Sequence, residues 1–179
     1  LWSNRLYSST VDGGEGDDSL RVNQSNLSSI EGGAGSDTFY FSQISDSDSI
    51  NGGSGDDSLH FNNIVSSNYI TTGSDNDSVV FGGGNSVNTT ILGSTDSNFY
   101  FQANKNLTST SLVGYAGNDT LILGDATSDL TTLSTITSGS GDDSLVFNGT
   151  ALSSTLLGEA GNDTLHFAGG ITGGSINGG

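Results

Sequence analysis

The sequence predicts an all-β protein, a parallel solenoid of about nine coils, each of roughly 20 residues and carrying two short strands. Three observations predict it. A ten-residue block recurs, as GGEGDDSLRV from Gly13, GGAGSDTFYF from Gly32, GGSGDDSLHF from Gly52 and SGSGDDSLVF from Ser138. Its copies begin at Gly13, Gly32, Gly52, Thr72, Leu92, Gly114, Ser138, Gly158 and Gly178, at intervals of 19, 20, 20, 20, 22, 24, 20 and 20 residues. The eighth and tenth places of the eight full copies are apolar without exception, and a period of two marks a strand with one buried face.

Taken along a coil, the first strand carries those two places: Leu20/Val22, Phe39/Phe41, Leu59/Phe61, Val79/Phe81, Phe99/Phe101, Leu121/Leu123, Leu145/Phe147 and Leu165/Phe167. A polar connection follows. The second strand is marked by one apolar residue two places before each block: Val11, Ile30, Ile50, Ile70, Leu112, Ile136, Leu156 and Ile176. Only the fifth copy departs, with Thr90 followed by Ile91. Helix is excluded by the absence of a 3.6-residue period and by the dominance of Ser, Thr, Asn, Gly and β-branched residues. The chain has no proline, as suits backbone donors used almost throughout in ladders. One coil cannot bury its own apolar side chains, but stacked coils can. At about 4.8 Å per rung, nine of them make a rod on the order of 43 Å long. The two long intervals place extra residues in NKNLTSTS (104–111) and DATSDLTTLST (125–135), expected as bulges outside an unbroken stack.

Composition narrows the function. Twenty acidic side chains against three basic ones give a formal net charge of −17, which excludes an electrostatic grip on nucleic acid or anionic lipid. With no cysteine there is no disulfide framework or thiol nucleophile. No apolar run approaches the roughly 18 residues that membrane insertion needs, and no signal-peptide pattern is present. Catalytic groups are scarce. His60 and His166, the only histidines, both stand at the outward ninth place, five rungs or roughly 24 Å apart. Pairs such as Asp56-Asp57 recur as a turn element, so acid–base catalysis is not their reading, and an enzyme is not expected.

The turn carries the chemistry. The sixth residue of the block is Asp18, Asp37, Asp57, Asp77, Ser97, Asp119, Asp143 and Asp163 in successive copies. Acidic side chains at fixed places in a glycine-rich turn point to a cation. Glycine lets a tight turn aim its carbonyl oxygens at one point, the carboxylate closes the cage, and oxygen-only ligation at flexible distances suits Ca²⁺. Without an ion, carboxylates stacked about 5 Å apart repel by several kcal/mol at an effective dielectric near 20.

The pattern Gly-Gly-x-Gly-x-Asp-x-apolar-x resembles the calcium-binding repeat of the RTX family, and the first three copies match it in full. The resemblance implies a β-roll-like fold and several Ca²⁺ ions along an edge, each held between the turns of neighbouring coils. It implies as ligands Asp18, Asp37, Asp57, Asp119, Asp143 and Asp163. With them go carbonyls of Gly13, Gly14, Gly16, Gly32, Gly33, Gly35, Gly52, Gly53, Gly55, Gly117, Gly141 and Gly161, with Asp77 as a weaker candidate. The chain departs from the family in alternating each block with an eleven-residue half that lacks it, such as FNNIVSSNYIT, so one calcium ladder along one edge is expected. The turns TGSDND and LGSTDS lose key glycines, and Ser97 stands at the ligand place of the second.

On this basis residues 1–179 are expected to form a single calcium-binding solenoid. The chain starts at Leu1 without methionine and closes as Gly178-Gly179 opens a ninth turn, so it reads as a fragment of a longer array. Its coils are expected to stack end to end on further coils or on copies of itself. The resemblance further implies a non-catalytic structural segment of a large extracellular bacterial protein, an adhesin spacer, surface-layer or filament element, secreted by the type I route. Two alternatives stand beside it. One is an ice-binding or adhesive face, drawn from the hydroxyl column Thr10, Ser29, Ser49, Thr89, Ser111, Thr135, Thr155 and Ser175, which Tyr69 interrupts. The other is the repeat tail of a secreted enzyme.

Overall fold

A computed structural model describes residues 1–125 and 130–179. The described residues form a parallel β-solenoid without helix, so no helix is long and apolar enough to cross a membrane. A representative coil runs through strand Ser49–Ser54, a glycine-aspartate turn, strand Ser58–Phe61, a corner, and a two-residue bridge Val65–Ser66, before a tight corner returns it to Tyr69–Ser74. Every strand pairs in parallel with its counterpart one coil away, as Ile30 with Ile50 and Ile50 with Ile70. The strands before the turns form one sheet of nine. The strands after them form a second sheet, in which Ser19–Asn26 of the first coil spans what later coils split into a long and a short ladder.

The core lies between the sheets and is built from the expected residues. Ile30, Ile50, Ile70, Ile91, Leu112, Ile136 and Leu156 face inward from one side and the alternating Leu, Val and Phe residues from the other, all buried except towards the ends, where Val11, Leu165 and Phe167 are half-buried and Ile176 is exposed. Phe41 and Phe61 stack with centroids 4.6 Å apart, and Phe61–Phe81 and Phe81–Phe101 meet edge-on at 5.3 Å, so one aromatic column crosses four coils. Stacking reproduces each side chain's surroundings every rung, which is why a pattern of single apolar residues suffices to define a core.

The edge opposite the glycine turns carries a third ladder that the apolar pattern does not announce. Its inward residues are Ser25, Ser45, Val65, Ser86, Leu107, Thr131 and Ala151, all buried. The corner beside it is turned by a left-handed residue in each coil: Ser8, Leu27, Ser47, Ser67, Asn88, Ser109, Leu133 and Ser153 have φ between 45° and 55°. The next residue is polar, and at Ser28, Asp48, Asn68, Ser134 and Ser154 it is buried and caps the neighbouring coil's backbone. The Ser28 amide donates to Asp48 Oδ1 at 2.9 Å, that of Asp48 to Asn68 Oδ1 at 2.8 Å, and that of Ser134 to Ser154 Oγ at 3.2 Å. Both Asp48 oxygens are satisfied, Oδ2 accepting from Ser25 Oγ at 2.5 Å and Ser45 Oγ at 2.9 Å. This edge closes on its own hydrogen bonds.

The fifth coil corrects the sequence reading. Ile91 pairs with Ile70, so the block begins at Gly93 rather than Leu92. Asp77 pairs with Phe99, Val79 with Phe101 and Phe81 with Ala103, so Phe99 takes the sixth place and Ser97 lies in the bend before it. NKNLTSTS is not a bulge: Leu107 follows Ala103 at the spacing by which Val65 follows Phe61. The extra residues sit elsewhere, one in the glycine run 82–85 of the previous coil and one in the turn 94–98. Outward bends take a longer path without disturbing the ladders. The second expected bulge includes residues 126–129, which lie outside the described residues. Beyond it the ladder resumes with Leu107 opposite Thr131.

Candidate metal centre

The three glycines of the turn serve two separate needs. The second and fourth places are left-handed: φ is 100° and 99° at Gly14 and Gly16, 114° and 124° at Gly33 and Gly35, 121° and 104° at Gly53 and Gly55. The first glycine needs room instead. A Cβ added at Gly13, Gly32, Gly52, Gly114 or Gly158 would fall within 3.0 Å of two oxygens: Oδ2 of the same coil's sixth-place aspartate and the first-place carbonyl of the next coil. The carbonyls are those of Gly32, Gly52, Thr72, Ser138 and Gly178. The fold therefore brings a carboxylate oxygen and a carbonyl oxygen from adjacent coils to one spot beneath these five turns.

The sixth-place carboxylates use their two oxygens differently. Oδ1 accepts a backbone N–H from the preceding coil: Asp18 N to Asp37, Asp37 N to Asp57, Asp57 N to Asp77 and Phe99 N to Asp119 at 2.8 Å, Asp119 N to Asp143 at 2.7 Å, and Asp143 N to Asp163 at 3.1 Å. Oδ2 of Asp18, Asp37, Asp57, Asp119, Asp143 and Asp163 is buried and has no hydrogen-bond partner. A buried carboxylate oxygen left unpaired costs more than a neutral one and asks for a cation or a proton. These six unpartnered oxygens belong to the same six aspartates that the motif implied. Asp77 differs, because its Oδ2 accepts the Ser94 hydroxyl at 3.0 Å.

The neighbouring fifth place works in the opposite direction along the rod. Asp17 Oδ1 accepts Ser36 N at 2.8 Å, Asp56 Oδ1 accepts Asn76 N at 2.9 Å, Asn98 Oδ1 accepts Asn118 N at 2.7 Å, and Asp142 Oδ1 accepts Asn162 N at 2.8 Å. The two adjacent aspartates thus have distinct tasks. The outer one staples coils together, and the inner one offers a free oxygen.

Burial pushes the carboxyls of Asp57, Asp77, Asp119 and Asp143 up. Desolvation raises Asp57 to about 7, against the backbone hydrogen bond from Asp37 and with the charges of Asp77 and Asp37 adding to it. Asp119 rises to about 7 by desolvation, to which Asp143 adds. Asp143 is raised by desolvation and by Asp163. By contrast, the exposed Asp142 is lowered by the Asn162 donors.

The implied glycines divide by place. Gly32 and Gly52 present carbonyls beside the free carboxylate oxygens. The carbonyls of Gly14, Gly33, Gly35, Gly117 and Gly141 instead lie against the glycine Cα one coil further on, so second- and fourth-place glycines stack backbone on backbone. The implied set omits the carbonyls of Thr72, Ser138, Gly158 and Gly178, and the room made by Gly114 and Gly158. Their common signal is the first place of the block. Ser138 is a variation on it, its hydroxyl donating to Gly158 O at 2.9 Å within the cage. Among the described residues no three acidic or histidine side chains converge, so each cage joins one free carboxylate oxygen to main-chain carbonyls. An all-oxygen set, free of donors apart from the Ser138 hydroxyl, fits a hard cation that takes many ligands at flexible distances, as Ca²⁺ does. His60 lies on the outer face, stacked on Tyr40 at 5.3 Å, and Arg21 covers the other side of Tyr40 at 4.7 Å.

A family model described as the RTX calcium-binding nonapeptide repeat matches residues 7–26, 28–43, 45–63, 66–87, 109–127 and 146–172, more than half of the chain. Two longer internal stretches are unmatched: 88–108, which contains the turn in which Phe99 replaces aspartate, and 128–145, which contains the turn of Asp143. No curated protein and no solved structure matches the chain.

Proposed function

The chain belongs to the RTX calcium-binding nonapeptide repeat family and binds Ca²⁺, and from that premise we propose that residues 1–179 act as one calcium-stabilised rod, a non-catalytic structural segment of a large extracellular protein. The observation that carries the proposal is the row of six buried carboxylate oxygens without partners along one edge, five of them (all but that of Asp143) beside a carbonyl of the next coil. Oδ2 of Asp18, Asp37, Asp57, Asp119, Asp143 and Asp163 would hold the ions, with the carbonyls of Gly32, Gly52, Thr72, Ser138, Gly158 and Gly178. A bound ion supplies the positive charge that lets these carboxylates stay ionised inside the fold. The chain's own groups do the rest. Each Oδ1 locks its coil to the one before, the first-place glycine clears space, and the Phe and Ile columns keep water from the inner side.

The coupling of metal to folding favours a place outside the cell. Oxygen cages of extracellular modules bind calcium at about 10⁻⁴–10⁻³ M, far above the range of intracellular sensors, and a chain that needs such concentrations folds only after export. An adhesin spacer, a lattice element or a filament would all use such a rod. The hydroxyl column behind the ice-binding alternative is in register, as Thr10, Ser29, Ser49, Thr90, Ser111, Thr135, Thr155 and Ser175, with Thr90 in place of the buried Thr89 and Tyr69 breaking the column. The other sheet's outer column of Arg21, Tyr40, His60, Val80, Gln102, Ile122, Val146 and His166 is chemically mixed.

The test is the calcium midpoint of folding, followed by circular dichroism and small-angle scattering. The expected midpoint lies at about 10⁻⁴–10⁻³ M. Below it the chain expands towards a radius of gyration of roughly 45 Å, the unfolded value for its length. A midpoint below about 10⁻⁶ M, within the sensor range, would mean the chain folds before export and would defeat the extracellular reading.

A further inference from the structure

The fifth coil stands apart from its neighbours in the cage row. Phe99 occupies the place of the ligand aspartate: it is opposite Asp77 in the ladder, and its amide donates to Asp119 Oδ1 at 2.8 Å, the bond made elsewhere by the amides of Asp18, Asp37 and Asp119. The ring is fully buried and lies against the Cα of Gly93, where in other coils the carboxylate lies against the first glycine. Its turn is one residue longer. Next to it, the Asp77 oxygen that would face an ion is taken by the hydroxyl of Ser94, which stands where Gly73 stands in the coil before. Neither coil offers an unpartnered carboxylate oxygen, while the three coils on each side do.

From this geometry we infer that Phe99 is a hydrophobic substitute for a bound calcium ion, closing its turn without metal and dividing the calcium sites into two blocks that load independently. The inference rests on the calcium reading above. One block is built on Asp18, Asp37 and Asp57, the other on Asp119, Asp143 and Asp163. Within a block, carboxylates one rung apart are separated by roughly 4.8 Å and are strongly coupled. Between Asp57 and Asp119 lie three rungs, roughly 14 Å, beyond the screening length of about 8 Å at physiological salt. The metal-free coils between the blocks are held by apolar contact, with Phe81 edge-on to Phe101 at 5.3 Å and Phe99 tilted against Phe101 at 6.4 Å. Calcium thus cannot pass its effect through a continuous row of shared ligands.

Two variants test this, read by native mass spectrometry for ions per chain and by hydrogen exchange across a calcium titration. Phe99→Asp restores a carboxylate opposite Gly93 and is expected to raise the number of ions per folded chain by one. Asp37→Asn disables the first block. It is expected to shift the calcium midpoint for protecting residues 13–61 by about tenfold or more and that of residues 114–167 by less than about twofold. An unchanged ion count in folded Phe99→Asp, or equal shifts of both segments in Asp37→Asn, overturns the inference while a calcium-loaded wild type keeps the functional reading intact. If Phe99→Asp does not fold, the Asp37→Asn exchange pattern decides alone. A wild-type chain that takes up no calcium overturns the functional reading, and the inference with it.

Discussion

Replacing Asp57 by asparagine should change stability in opposite directions with and without calcium. Asp57 is 2% exposed, its Oδ1 accepts the Asp37 amide at 2.8 Å, and its Oδ2 is buried without a partner. Asparagine keeps the first acceptor and turns the second oxygen into an amide donor aimed at the Thr72 carbonyl. Raising that carboxyl from 3.8 to about 7 corresponds to about 4 kcal/mol against its ionised form at pH 8. Solvent reaching the turn from outside screens roughly half of this, leaving about 2 kcal/mol that Asp57→Asn removes from the ion-free fold. In calcium a thousandfold above Kd, one lost ion costs about 4 kcal/mol, so the variant ends about 2 kcal/mol below wild type. For a chain of this length these are shifts in Tm of about +4 to +8 °C without calcium and about −4 to −8 °C with it. The assay is thermal melting at pH 8, in calcium and in EGTA with sulfate added to keep the ion-free fold populated. A shift of the same sign in both would refute the assignment of Oδ2 to the ion.

Chelation by EGTA without sulfate should abolish the β signal in circular dichroism. Calcium at about 1 mM should restore it and magnesium at the same level should not, since the small octahedral shell of magnesium suits this cage badly; equal rescue by both ions refutes the cage chemistry. In the ion-free protein Asp57, Asp77, Asp119 and Asp143 all sit above 3.8, chiefly by desolvation. A carboxyl raised in the fold adds stability that is complete below 3.8 and is lost as the pH climbs through about 7. Sulfate-supported melts in EGTA should therefore fall from pH 5 to pH 8, and calcium rescue should grow over the same window; a flat profile contradicts the buried carboxylates. Leu133 is left-handed at φ 51° and 63% exposed, in the place that Asn88 fills in another coil. Leu133→Asn should stabilise by about 1 kcal/mol, or about 2–4 °C, and an unchanged Tm would show that the corner carries no strain.

The solenoid was legible because stacking repeats each inward environment, so Ile30, Ile50 and Ile70 or Phe41, Phe61 and Phe81 declare the core by period alone. The fifth coil was not legible in register. Phe99, Phe101 and Ala103 alternate across three inward places, and either pair satisfies a two-residue apolar pattern; only the one-residue offset of Ile91 hinted at the shift. The short third ladder escaped because two-residue strands show no alternation, and its inward residues, Ser25, Ser45, Val65 and Ser86, share no chemistry. In the cage, Asp56 and Asp57 are identical as residues. Only the direction of their side chains separates the staple from the free oxygen. Likewise the block's glycines look alike in sequence, although Gly53 and Gly55 are required for positive φ and Gly52 for space.

The most direct measurement is the anomalous scattering of crystals grown in calcium. Ordered ions are predicted beside Oδ2 of Asp18, Asp37, Asp57, Asp119, Asp143 and Asp163, with no ion between Asp77 and Ser94 or beside Phe99. A map with no ion at those six carboxylates, or with one lodged against Phe99, would contradict the account.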